Sequence, residues 1–382
     1  MNDRERFIAT MHYQERDRCP ICDFGFWDET IDAWHEQGFP PIVEGEGRGE
    51  QASEFFGMDR WAGGPTIEVG LCPGFESCII EDRGDHEVVQ QGDGVRVLRA
   101  KRMSSIPHHE SHLLVGRESW EEHYKPRLDP TNPDRYPDWQ QVRDVWDDPD
   151  YDAPRTVKGG SLYGWIRNWM GMENVSYLAY DNPDLFGEMV ETIADCVVGC
   201  HRIAFEHGAK FDACSMWEDM CYNAGPLLPP DLFKQFLVPQ YKRITGQLRA
   251  GGCDVVYLDS DGDIRELIPM WLEAGVNCMF PLEIGTWGID PVELREQYGK
   301  DLLMMGGFDK HILARTKQEI EAEVHRLAPV VDESGFIPFC DHRVPPDVPL
   351  ENYVFYVETV RSVWGKDVNL KPIVPLQLRT SV

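Results

Sequence analysis

The sequence predicts an α/β fold, a (β/α)8 TIM barrel carrying a small β insertion near residues 78–104. Three observations carry that prediction. From residue 155 onward, short apolar runs alternate with longer helical patterns, the rhythm of repeated βα units. The apolar runs lack clean alternation, as strands buried on both faces do. No run is followed by a G-x-G-x-x-G turn opening a helix, so a dinucleotide-binding sheet is poorly matched and a barrel fits better.

Taken in order, the first element is "MNDRERFIATMHYQERDRCP", which is charged and lacks the apolar stretch of a secretory signal. "CPICDFGFW" (19–27) reads as the first barrel strand, and "GEGRGE" (45–50), which follows no strand, as an exposed loop. Residues 78–104 alternate like antiparallel strands joined at "RGDH" and "QGDG". Residues 108–150, rich in Pro, Asp, His and Trp, read as loops with one or two short helices, which makes about 40–150 an insertion or lid region. The core strands that follow are "TVKGGSLYG", "FDACSMWED", "DVVYLDSDGD", "VNCMFPLE", "LLMMGGFD" and "FIPFCDH". Helical stretches such as "DLFGEMVETIADCVVGCHRIAFEHG" separate them, several ending at a capping glycine. No linker is evident, so residues 1–382 read as a single domain.

Composition narrows the function. A net charge of −29 argues against nucleic acid and anionic membrane surfaces, both of which would repel the chain. No apolar run approaches the 18 or more residues of a membrane span. Eleven cysteines, scattered and odd in number, read as reduced thiols of a cytoplasmic protein. "CPIC" (Cys19, Cys22) has no second pair at zinc-ribbon spacing and reads as two buried small hydrophobes.

Ionisable groups gather where the apolar runs end, the place where a barrel carries its chemistry. "SMWEDM" supplies Glu218 and Asp219, and "YLDSDGD" supplies Asp259, Asp261 and Asp263. "FPLE" supplies Glu283, "GGFDK" supplies Asp309 and Lys310, and "FCDHR" supplies Cys340, Asp341, His342 and Arg343. Five successive strands ending this way predict an active face rather than five solvated loops. His342, flanked by charges at a strand end, is the strongest single candidate, and Glu218, Asp219 and Asp259 join it as catalytic candidates. Asp259 and Asp261 fall on one face of an extended chain and with His342 make a candidate metal site. Trp27, Tyr163, Trp169, Trp217, Glu283, Asp309 and Arg343 are candidate substrate contacts, the aromatics suiting a flat ligand. Each has a structural alternative: the aromatics as core, Asp309 as a partner of Lys310. His108, His109, His112 and His123 read as a surface cluster with a lid role as the alternative.

"YLDSDGDIRELIPMWLEAGVNCMFPLE", "GGFDKHIL" and "CDHRVPPDVPLENYVFYVETVR" resemble the uroporphyrinogen decarboxylase superfamily, most strongly from about 155 to 365. The resemblance implies a single (β/α)8 barrel, and a homodimer is usual for the superfamily. True decarboxylases carry an Arg-Gln-Ala-Gly-Arg-Tyr stretch after the first strand whose arginines hold the substrate's propionates. Here that stretch is "DFGFWDETIDAWHEQG", and no Lys or Arg occurs from Cys19 to Gly47. The methyltransferase branch is similar in using zinc held by a His-x-Cys pair and a third thiolate. Those positions are matched here by Asp259-Ser260-Asp261 and His342, so thiolates give way to oxygens and one imidazole. The resemblance thus implies a methyltransferase that moves a methyl group from a small methoxylated or methylated-amine substrate to a corrinoid. No D-x-H-x-x-G motif is present, so the corrinoid (cobalamin) is expected on a partner protein. Zinc at Asp259, Asp261 and His342, or His342 as general acid, would assist the leaving group. The alternatives are a porphyrinogen decarboxylase and a barrel that binds a corrinoid or tetrapyrrole without turnover.

Overall fold

Each of the six apolar runs read from residue 155 onward is a strand, and each lies parallel to its neighbour within its own part of the chain. The computed structural model describes residues 1–42, 47–101 and 107–374. It divides into two units, Met1–Gly63 with Asp152–Pro154 and Cys278–Val382, and Gly64–Tyr151 with Arg155–Asn277.

The second unit opens with an antiparallel meander: β1 (Cys78–Arg83), β2 (His86–Gln90), β3 (Arg96–Ala100) and β4 (His108–Ser111). The expected insertion is therefore present, although its last residues, 102–104, lie outside the described ones. Val88, Val89, Val95 and Val97 are buried and hold the meander together, whereas β1 is exposed along its whole length. β4 falls on the histidines read as loop; "HHES" has no apolar residue to announce a strand, and pairing with β3 alone orders it.

β5 (Thr156–Gly160), β6 (Ala213–Trp217) and β9 (Val255–Asp259) then run parallel in that order. Between β6 and β9 lies a short hairpin, β7 (Cys221–Tyr222) and β8 (Gly225–Pro226). Helix Pro183–Glu206 connects β5 to β6; Asn182 caps its Leu185 N–H and Pro183 sits where no intrahelical donor is needed. Leu185, Met189, Ile193, Cys196 and Cys200 recur every three or four residues along it and are all buried. The register sets Trp217 opposite Asp259, so the residues after β6 and β9 emerge level with one another.

In the first unit, β10 (Cys278–Leu282), β11 (Leu303–Phe308) and β12 (Phe336–Cys340) are parallel and buried at every residue, which is why they read as unbroken apolar runs. Helix Lys317–Glu333 joins β11 to β12 and begins with a capping box between Thr316 and Glu319. The expected first strand is corrected here. Residues 19–27 form no strand ladder; their one bridge is Phe26 with Val344. Pro20 offers no N–H, Ile21 N–H donates to the Asp59 carboxylate, and Cys19 N–H donates to the Trp364 carbonyl. "GEGRGE" is corrected as well, since Arg48–Phe55 is a helix entered through left-handed Gly47, while residues 45 and 46 lie outside the described ones.

Candidate active site

In the second unit, the turn after β6 and the turn after β9 bring carboxylates together. Asp219, Asp259 and Asp261 each place an oxygen within 4.8 Å of the others. The Asp261 N–H donates to Asp219 Oδ1 at 3.2 Å, and Glu218 N–H donates to the Asp259 carbonyl at 2.8 Å. Asp219 takes a left-handed backbone (φ 43°), a conformation that costs a non-glycine residue energy. Arg167 donates to the Asp219 carbonyl and places its guanidinium 5.3 Å from the Trp217 ring centre.

Glu218 points the other way. It is 0% exposed, and five donors converge on its carboxylate. Ser161 Oγ, Tyr163 N and Gly164 N reach Oε2 at 2.9 Å each, while Leu162 N and Tyr241 OH reach Oε1 at 2.7 and 2.6 Å. Burial pushes its pKa up, and the donors, Tyr241 first, oppose that shift. Its chemistry is to brace the turn after β5 against β6. Gly164 is required there, because a Cβ would lie 2.4 Å from the Glu218 carbonyl oxygen. Tyr163 and Trp169 are likewise buried, Trp169 against Trp165 and Tyr124.

In the first unit, the ends of β10, β11 and β12 form a buried ion network. Lys310 Nζ lies 3.2 Å from Glu283 Oε1 and 3.7 Å from Asp341 Oδ1. Trp287 Nε1 donates to Glu283 Oε2 at 2.6 Å, and Asp341 accepts from Gly285 N at 2.7 Å and Lys310 N at 3.1 Å. Burial raises Asp341 to about 6 against the pull of Lys310. Burial acts to lower Lys310, but Asp341 and Glu283 outweigh it and its pKa is raised. Asp309 caps the short turn that follows, accepting from His311 N at 2.9 Å.

His342 lies beside this network with its ring 5.0 Å from Phe24 and 6.0 Å from Trp27. Burial, then the charges of Lys310 and Arg343, lower its pKa to about 4 against the opposing pull of Glu283. The imidazole is therefore neutral near pH 7, which suits an acceptor or ligand and not the general acid expected from sequence. Arg343 stacks 5.3 Å from the Trp27 ring centre and donates to the Phe26 carbonyl.

Next to Phe24 and Arg343 opens a cavity of about 920 Å³ within the same unit. Its lining holds the acids Asp23, Asp28, Glu50, Glu54 and Asp59 and the bases Arg48, Arg60, Arg343 and Lys371. Every one of those bases is already engaged: Arg48 by Asp28 and Asp32, Arg60 by Asp152, Lys371 by Asp3, and Arg343 as described. Asp23 is the residue that sequence reading missed. It is 7% exposed; its Oδ1 accepts from Ser53 Oγ at 3.0 Å, and its Oδ2 is buried with no hydrogen-bond partner. Burial lifts its pKa to about 7, with Ser53 opposing. A lone carboxylate inside the apolar run "CPICDFGFW" is the signal that would have found it.

The sequence-predicted residues thus fall into two groups. Asp219, Asp259 and Asp261 meet in one unit; Trp27, Glu283, Asp309, His342 and Arg343 belong to the other. An oxygen-only trio suits a hard divalent cation better than thiol-activating zinc. The thiol nearest in sequence to it, Cys221, has its pKa pushed up to about 12 by burial and stays protonated.

The model of the family described as uroporphyrinogen decarboxylase (URO-D) matches residues 167–363. The uroporphyrinogen decarboxylase of Gloeobacter violaceus is 24% identical over 192 residues, 50% of this chain and 52% of that protein. The corresponding protein of Acidiphilium cryptum is 28% identical over 188 residues, 49% of each chain. This chain spans about half the length of the curated relatives it matches. Among solved structures, a methyltransferase from Methanosarcina mazei is alike with a TM-score of 0.59 over 95% of this chain and 99% of that one, at 14% identity. At that identity the likeness is one of fold.

Proposed function

The chain belongs to the uroporphyrinogen decarboxylase family, and within it we propose a methyltransferase that takes a methyl group from a small methylated substrate. The observation that carries this reading is the cavity whose four bases are all engaged by the chain's own acids and aromatics. A porphyrinogen with many carboxylates needs several free bidentate guanidinium partners. The fold shared with the M. mazei methyltransferase supports the same branch. Phe24, Trp27 and Trp61 would receive the apolar part of the substrate, and neutral His342 would accept a hydrogen bond from it. Lys310, held by Glu283 and Asp341, fixes positive charge beside that imidazole and adds to the burial that lowers its pKa. A corrinoid on a partner protein supplies the nucleophilic cobalt(I) when bound.

The test is an anaerobic assay with cob(I)alamin and a panel of methyl ethers and methylated amines. Appearance of the methylcob(III)alamin spectrum, lost in His342→Ala, supports the reading; no methyl transfer to cobalt from any member of the panel counts against it. Decarboxylation is the second reading, favoured by the names of the curated relatives, and it is separated by product.

A further inference from the structure

We propose that the cavity beside Phe24 binds a protonated alkylamine, gripped by the Asp23 carboxylate and flanked by aromatic rings. The inference deepens the methyltransferase reading by naming a methylated ammonium as its substrate class, and it rests on that reading for the ligand's fate alone. Asp23 lines the cavity and is fixed in place by Ser53, and its second oxygen is buried and unpartnered. A buried carboxylate oxygen without a donor is costly to leave unsatisfied, and a ligand N–H answers it. Phe24, Phe26 and Trp61 line the same cavity, and the faces of aromatic rings attract cations. Phe24 and Trp61 are themselves held, each with its ring centre 5.2 Å from that of Phe280, so the rings are positioned before any ligand arrives.

Charge points the same way. The lining acids outnumber the bases, and each base is already engaged, so among the described residues the cavity offers no free cation to compete for Asp23. Burial lifts the pKa of Asp23 to about 7, and the causes include no neighbouring positive charge to hold it down. A cation seated against it would supply that charge.

The experiment titrates the full chain, without corrinoid, about one pH unit above the Asp23 pKa. The probes are trimethylammonium chloride and tert-butanol, alike in shape, with binding read by ligand-observed NMR. Wild type is expected to prefer trimethylammonium by about tenfold or more, and Asp23→Asn to lose that preference. Equal affinities in wild type, or an undiminished preference in Asp23→Asn, overturn the inference. If Asp23→Asn does not fold by circular dichroism, the wild-type comparison decides alone. Preference for the ammonium without any methyl transfer overturns the methyltransferase reading and leaves this one standing. Turnover of a methyl ether with no ammonium preference does the reverse.

Discussion

Replacing Glu218 with glutamine keeps the side chain's shape while removing its charge and one acceptor. The two oxygens carry different loads: Oε2 accepts from Ser161 Oγ, Tyr163 N and Gly164 N, and Oε1 from Leu162 N and Tyr241 OH. A glutamine must set its NH2 at one of those places. At the Oε2 place it confronts two backbone N–H groups, neither of which can turn. At the Oε1 place it confronts only the Leu162 N–H, because the Tyr241 hydroxyl can rotate to accept, so the amide settles there. One buried N–H is then orphaned at about 1–3 kcal/mol, and the remaining bonds lose their charge assistance. Relief of the carboxylate's burial, visible in its raised pKa, offsets part of this. The net expectation is a loss of about 2–4 kcal/mol, a large share of the roughly 5–15 kcal/mol that holds a domain together. Urea denaturation followed by tryptophan fluorescence measures it. A loss below about 1 kcal/mol with an unchanged m value would refute the bracing role.

Three further outcomes follow from the first unit and the thiols. His342 has a depressed pKa, so its contribution to stability is complete above its unfolded pKa and is lost as pH falls from about 6.5 to about 4. Allowing for its partial exposure, wild type should lose about 2–3 kcal/mol more than His342→Gln between pH 7 and 4, and equal losses would contradict the burial of the ring. Lys310→Met strands Glu283 and Asp341 without their cation, so it should destabilise by about 3–5 kcal/mol, with Lys310→Met/Asp341→Asn recovering part on the same denaturation assay. Of eleven cysteines only Cys78 is exposed, so a colourimetric thiol reagent should titrate one thiol rapidly in the native protein and all eleven in denaturant.

β10, β11 and β12 were legible because a strand buried on both faces has to be an unbroken apolar run, and all three are buried at every residue. The segment 19–27 has the same apolar look, but Pro20 and the side chain of Asp59 take its backbone out of any ladder, and no periodicity records that. β4 is invisible for the opposite reason: "HHES" carries no buried residue and is a strand by pairing alone. Strand ends located the charged residues well but could not give their direction. Glu218 and Asp219 are adjacent, yet one turns inward to five donors and the other joins the half-buried carboxylate trio. His342 stands just past the end of β12, but its protonation state was not legible, since that depends on burial and on Lys310 and Arg343 as neighbours in space.

The proposed methyl transfer depends on a cavity whose lining cations are all held by the chain's own groups. Incubating the purified chain with uroporphyrinogen under reducing, anaerobic conditions and separating products by chromatography tests that most directly. Carboxyl loss should be no faster than in a protein-free control; coproporphyrinogen accumulating in proportion to the protein added would overturn the methyltransferase reading.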